Sequence, residues 1–248
     1  MDETQNQTPY VAKKDVSEFI KKMRETAPVA GYTILDESDP RLQYQEVTLK
    51  PRVDDAPFQE SMKTLRVNIE FSGAEGEVRV ICVTSAFPND GKSTTAYNLA
   101  RAFAESGKKA LLIDADMRKS VLRQQVVRVG GANCGLSNYL VGRATYEESV
   151  CTTSTRNLWI MFSGMFPPNP SELLGSGRFR QLVEKVKEEY SIVIIDTPPI
   201  GSVIDAAVVA KVCDGSVLVL RCGSVSYRFA QRCKEQLEAT GTRILGCV

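Results

Sequence analysis

The segment VTSAFPNDGKSTTAYNLA, residues 83–100, runs from an apolar stretch into a helix-forming one through a turn ending in Gly91-Lys92-Ser93-Thr94. Those four residues complete the second half of the phosphate-binding pattern G-x-x-x-x-G-K-[ST], whereas Ala86 stands where the first glycine belongs. Between a strand and a helix, backbone N–H groups from Asp90 to Thr94, with Asn89 at the edge of the cradle, can face phosphate oxygens. The positive end of the helix dipole assists them. Lys92 would then neutralise the β- and γ-phosphate charge, and the Ser93 hydroxyl would ligate Mg²⁺. The same letters also fit an ordinary glycine turn before a helix, so the loop alone leaves both readings open.

Two further runs narrow the choice. LLIDADMR places Asp114 and Asp116 just past an apolar strand, and VIIDTPP places Asp196 at the end of another, where two prolines force the chain out of the sheet. A single strand-end aspartate is often a solvated turn residue. Three of them beside a phosphate loop repel one another unless a cation sits among them, and Mg²⁺ with a triphosphate supplies that cation. The three runs together read as a nucleotide site.

Composition removes other chemistries. The chain of 248 residues contains no histidine, which excludes Ser-His-Asp and Cys-His catalysis and histidine-bound zinc. Its 31 basic and 30 acidic side chains nearly cancel, so no global field marks nucleic acid as a partner. The seven cysteines are widely spaced and never form CxxC, as expected of small buried hydrophobes in a reducing compartment. The polar start MDETQNQTPY is no signal peptide, and no apolar run is long enough to span a bilayer.

The elements that must position these residues begin near residue 58. From Val78 onward, Val- and Ile-rich runs (VRVICVTS, KALLIDAD, NLWIMFSG, SIVIIDT, GSVLVLR, RILGCV) alternate with helical stretches. This pattern predicts an α/β fold, a P-loop nucleotide-binding domain with a mostly parallel central sheet and helices on both faces. Ligands in such sheets lie at the carboxyl ends of the strands. A helix is expected at FQESMKTLRVNIEF, where Phe58, Met62, Leu65 and Ile69 share a face. Residues 1–57, charged and punctuated by proline, read as a polar arm or linker with one short helix at DVSEFIKKMRE. Residues 58–248 read as the globular domain, truncated at its C-terminus, since RILGCV looks like a strand cut in mid-course. PPNPSELL predicts a proline-stiffened loop followed by a helix capped by Asn169 or Ser171.

DADMR resembles the Walker A′ motif, and IVIIDTPP the Walker B motif, of the bacterial tyrosine kinases of capsular and exopolysaccharide biosynthesis. Their phosphate loop similarly lacks the first glycine and carries a mid-loop proline, here Pro88. The resemblance continues through ESMKTLRVNIEFS, GLSNYLVG, PPNPSELL and DAAVVAKVCDG, over residues 58–248. It implies an ATP-dependent, autophosphorylating protein-tyrosine kinase that regulates capsular or exopolysaccharide production. Lys92 would hold the terminal phosphates and Ser93 the metal, with Asp114, Asp116 and Asp196 as catalytic and metal-site residues. Arg118 would reach the phosphates or the acceptor. Glu60, Lys63 and Arg66 resemble the family's E-x-x-R-x-x-R helix, which docks subunits into a homo-oligomeric ring. Lys63, in place of the central arginine, cannot form a bidentate fork with carboxylate. The same three charges also fit a solvated helix face. The resemblance further implies a transmembrane polysaccharide co-polymerase adaptor, tyrosine-containing protein substrates, and a place at the inner face of the membrane. The other reading is an ATP-switched positioning or assembly protein of the septum-site and plasmid-partition kind. Phe87 stands where that class carries its signature lysine.

Overall fold

The structure, a computed structural model, describes residues 44–49, 55–72, 76–129 and 134–248. The predicted helix at DVSEFIKKMRE lies outside them. The described residues belong to a unit that begins at Gln43. Its strands are β1 (Gln45–Leu49), β2 (Val80–Ser85), β3 (Ala110–Asp114), β4 (Val126–Val129), β5 (Val150–Thr153), β6 (Leu158–Met161), β7 (Ile192–Asp196), β8 (Gly215–Val219) and β9 (Ile244–Cys247). Its helices are α1 (Ala56–Ser72), α2 (Lys92–Glu105), α3 (Leu136–Leu140), α4 (Tyr146–Ser149), α5 (Pro170–Leu174), α6 (Gly177–Glu189), α7 (Asp205–Ala210) and α8 (Tyr227–Glu238).

The nine strands among the described residues lie in the order β4-β1-β5-β6-β3-β7-β2-β8-β9. The run from β6 to β9 is parallel throughout, as the continuous apolar sequences require. Antiparallel pairing appears only beyond it among the described residues, at β5–β6 and β1–β4. Alternate side chains feed opposite faces: Leu111 and Ile113 of β3 and Val193 and Ile195 of β7 pack with α6, α7 and α8. Leu112, Ile192 and Ile194 turn the other way, toward α2 and Ile69 of α1. On α6, Phe179, Leu182, Val183 and Val186 recur at helical spacing and are fully buried, each contributing roughly 1.5–3 kcal/mol. Ser176 caps this helix by accepting from the Phe179 N–H.

The arm boundary moves. Residues 45–49, assigned from sequence to a polar arm ending at residue 57, form β1, which pairs parallel with β5 and buries Val47 and Leu49. Two inward side chains among charged neighbours give too short an alternation to stand out from a linker. Tyr44, just ahead of β1, packs half-buried against the core. Asn169 occupies the N-cap position of α5 with Pro170 at N1, but its side chain makes no cap. Its amide instead donates to Glu172, and Ser171 turns elsewhere.

The topology opens a crevice. Strands β2 and β7 are neighbours, but the helix after β2 packs on one face of the sheet and the one after β7 packs on the other. Their carboxyl ends therefore part where the phosphate loop begins.

Candidate active site

The loop from β2 to α2 is shaped by its own groups. Gly91 adopts φ +102°, a left-handed conformation that side chains resist, and Asn89 sits at φ +69°. The Asp90 carboxylate turns back to accept the Phe87 N–H at 2.8 Å, and the Ser85 hydroxyl donates to the Phe87 carbonyl. Beneath the loop, the buried Thr84 hydroxyl donates to the Pro198 carbonyl at 2.9 Å and accepts from the Ile200 N–H. These bonds join the loop's base to the DTPP turn after β7. Gly201 continues that turn so closely that an added Cβ would lie 2.4 Å from the Ala86 carbonyl oxygen and 2.7 Å from the Phe229 ring. Gly201→Ala is therefore expected to weaken nucleotide binding about tenfold and lower stability by roughly 1–3 kcal/mol. Nucleotide titration and thermal unfolding of the variant would show both.

Lys92 opens α2 with its side chain buried, its residue 7% exposed. Its ammonium lies 3.0 Å from Asp116 Oδ2 and 3.8 Å from Asp196 Oδ1, and it donates to Ser93 Oγ at 3.1 Å. Asp114 and Asp196 are register partners on adjacent strands, so their Cα atoms face each other at the sheet's carboxyl edge. Asp114 Oδ1 accepts the Asp116 N–H at 3.1 Å, and Oδ2 accepts the Ser120 hydroxyl at 2.5 Å. Asp116 Oδ1 accepts the N–H groups of Arg118 and Lys119, which fixes the turn after β3.

One cation thus faces three buried carboxylates. Burial pushes the Asp114 carboxyl up to about 7, with the Asp196 charge adding to the effect. Burial likewise lifts Asp196 to about 6; Lys92 opposes this and Asp116 adds to it. Burial would lower Lys92, but Asp196 and Asp116 outweigh it and hold the ammonium above its ordinary value. The cluster is short of positive charge. Asp196 Oδ1 is buried with no hydrogen-bond partner among the described residues, a costly state that a ligand could relieve. No trio of acidic or cysteine side chains among the described residues converges tightly enough to chelate a metal alone. Mg²⁺ does not need one: it takes one or two carboxylates and completes its shell with water and phosphate oxygens. Asp196 and the Ser93 hydroxyl fit that role.

Beside this cluster lies a cavity of about 290 Å³, whose walls include Asn89, Gly91, Lys92, Ser93, Thr94 and Asp116. The sequence-predicted loop residues, Lys92 and the three aspartates therefore meet at one sheet edge. Arg118 also lines the cavity, but its guanidinium is forked onto Asp205 and touches Ser171. Sequence reading gave Asp205 no role; nothing in an aspartate 87 residues downstream marks it as the partner of Arg118. Ser120, which holds Asp114 from six residues further along the same turn, was given no role either. Phe87 stacks on Phe229 with ring centroids 4.4 Å apart and planes 7° from parallel.

Glu60, Lys63 and Arg66 lie on α1, away from this cluster in sequence. Glu60 and Lys63 are exposed and pair with each other at 3.1 Å. Arg66 pairs with Glu70 at 2.7 Å and is largely buried.

The comparisons with known proteins fit this geometry. Residues 78–239 match the model of a family described as an AAA domain. Tyrosine-protein kinase CpsD of Streptococcus agalactiae is 41% identical over 190 residues, 77% of this chain and 82% of the relative. The chain belongs to the bacterial tyrosine kinases. Among solved structures, the chimerical protein CapA2B2 superposes on the kinase with a TM-score of 0.74 at 38% identity, covering 78% of this chain and 84% of that one. At the level of fold alone, the septum-site-determining protein MinD of Pyrococcus horikoshii, complexed with Mg-ADP, gives a TM-score of 0.58 at 24% identity, over 68% of each chain. The kinase therefore transfers phosphate to tyrosine from a P-loop fold, and it is not assigned to the switch class. No helix among its described residues is long and apolar enough to cross a membrane.

Proposed function

We propose that the kinase phosphorylates tyrosines on copies of itself, using ATP and Mg²⁺ at the β2–α2 crevice. The observation that carries this reading is the buried Asp196 Oδ1, which lacks a hydrogen bond and has only a 3.8 Å ion pair with a buried Lys92 that already counters Asp116 at 3.0 Å. Backbone N–H groups from Asn89 to Thr94 line the phosphate position, and Lys92 binds the terminal phosphates. Ser93 and Asp196 would hold the ion, and Asp114 and Asp116 would supply the negative charge around it. When bound, Mg²⁺ neutralises charge on the β- and γ-phosphate oxygens. Asp116, at the cavity wall, accepts the proton of the attacking tyrosine hydroxyl, whose ordinary pKa of about 10 makes a base useful. Arg118 adds positive charge at the same wall.

Glu60, Lys63 and Arg66 supply the face that docks one subunit on the next in a ring, so that transfer runs between neighbours. A transmembrane polysaccharide co-polymerase brings the ring to the inner face of the membrane, where other tyrosine-containing proteins serve as substrates. The family likeness and the two exposed charges on α1 support this part.

The test mixes untagged wild-type protein with a tagged Lys92→Met copy and γ-labelled Mg-ATP. Label on tyrosine of the tagged, inactive copy is expected. Release of free phosphate with no protein label would overturn the reading.

A further inference from the structure

Arg118, at the cavity wall, is bound on one edge only. Its Nε donates to Asp205 Oδ2 at 2.7 Å and its Nη2 to Asp205 Oδ1 at 3.1 Å, a bidentate fork. The same Nη2 donates to Ser171 Oγ at 3.1 Å, and the Ser171 hydroxyl donates to Asp205 Oδ1 at 2.5 Å. Asp205 is fully buried, so its charge has no water to stabilise it and depends on this pair of partners. The Arg118 backbone is fixed as well, through its N–H on Asp116 Oδ1. Nη1 makes no hydrogen bond among the described residues, and the guanidinium lines the cavity with Lys92 and Ser93. Two sequence motifs that the nucleotide site leaves unused, PPNPSELL and DAAVVAKVCDG, thereby meet at one arginine.

We propose that Asp205, with Ser171, is a positioning residue for phosphoryl transfer: it holds the Arg118 guanidinium rigid at the cavity wall, with the Nη1 edge left for the transferring phosphoryl group. This rests on the reading of the crevice as the ATP site. A free arginine side chain must give up rotamer freedom to meet a transition state, at a cost of up to ~2 kcal/mol. Here that freedom is already lost before substrate arrives, and catalysis by fixed charges benefits most from such preorganisation. Salt bridging for stability alone explains less, because the Arg118 side chain is 41% exposed and an ion pair with one partner open to solvent contributes little. It gives no reason for the pair to stand at the cavity wall.

A mutant cycle with chemical rescue tests this. Arg118→Ala is expected to lower kcat about a hundredfold, as loss of one preorganised donor does, with the KM for ATP changed about twofold or less. Asp205→Asn should lower kcat about tenfold, and Ser171→Ala, a milder change that keeps Asp205 charged, about threefold. Arg118→Ala/Asp205→Asn should be no worse than Arg118→Ala alone, because Asp205 acts only through the arginine. Added guanidinium ion should restore activity to Arg118→Ala and fail to do so in the double variant, where the fork is gone. Arg118→Lys should not restore it, since an ammonium cannot occupy both carboxylate oxygens. Multiplicative losses, or rescue that is equal with and without Asp205, would overturn the proposal. So would unchanged kcat in Arg118→Ala while wild type is active and Lys92→Met is dead; that result leaves the ATP site standing and removes only the role of Arg118 and Asp205.

Discussion

Lys92→Met should abolish tyrosine phosphorylation, with a loss of about a thousandfold or more, and should also destabilise the ligand-free protein in a pH-dependent way. The first effect follows from deleting the charge that meets the terminal phosphates. The second follows from what the ammonium does at rest. It is the counter-ion within 4.0 Å of Asp116 and Asp196, and methionine leaves those carboxylates buried without it. Breaking a buried pair in this way costs on the order of 3–5 kcal/mol while the orphaned groups stay charged. Asp196, already lifted to about 6 by burial, can escape by binding a proton, so the penalty should be small at pH 5 and large at pH 8. Thermal unfolding of both proteins at the two pH values, without Mg²⁺ or nucleotide, measures it. An equal drop at both would show that Lys92 is not the counter-charge assigned to it.

The opposite sign is expected for Asp114→Asn. Phosphorylation should again fall about a thousandfold, yet the ligand-free protein should become more stable at pH 8, by on the order of 2 kcal/mol. For a domain of this size that is a rise in Tm of about 4–8 °C. The Asp114 carboxyl is raised to about 7 in the folded protein by burial and by Asp196, against an ordinary value of 3.8. A carboxyl raised in the folded state binds more protons there than in the unfolded chain. Its stabilising contribution is complete below about pH 4 and is lost as pH rises through about 7. Asparagine carries no charge to lose. It can still accept the Asp116 N–H, and the Ser120 hydroxyl can turn to accept from its amide. Melting curves from pH 4 to pH 8 should therefore fall for wild type and stay flatter for the variant. A variant less stable at pH 8 would sink this account. The residue that most strains the resting site is thus one that the bound state needs, and stability and activity are set against each other at one position.

How much of this was legible from the chain depends on the distance over which each interaction acts. The unbroken apolar runs ALLID and IVIID show the parallel strands because both faces of those runs are buried by helices on the same domain. The phosphate loop and the three aspartates were readable because each lies just past such a strand, and parallel topology brings all strand ends to one edge. The fork on Arg118 was not readable, since its partner Asp205 is joined to it only through the folding of α7 against the turn after β3. β1 is a strand because Val47 pairs with β5, about a hundred residues away, and Leu49 with β4, against the local impression of a charged linker. Asn169 was a sound cap by composition, but Glu172 takes its amide, and Pro170 supplies the start of the helix instead. Strand ends and the loop between them follow from local sequence; side-chain partnerships, whether across the sheet as at Asp205 or within one turn as at Asn169, follow from the fold.

The face-to-face contact of Phe87 with Phe229 carries a last consequence. The far end of the phosphate loop enters α2, on one side of the sheet, while this contact fastens its near end to α8, on the other. A ribbon pinned from both sides behaves as a mould already cast, and not as a flap that gathers around its guest. Little ordering entropy is left for the nucleotide to extract on arrival, so capture should be limited by diffusion and orientation more than by loop rearrangement.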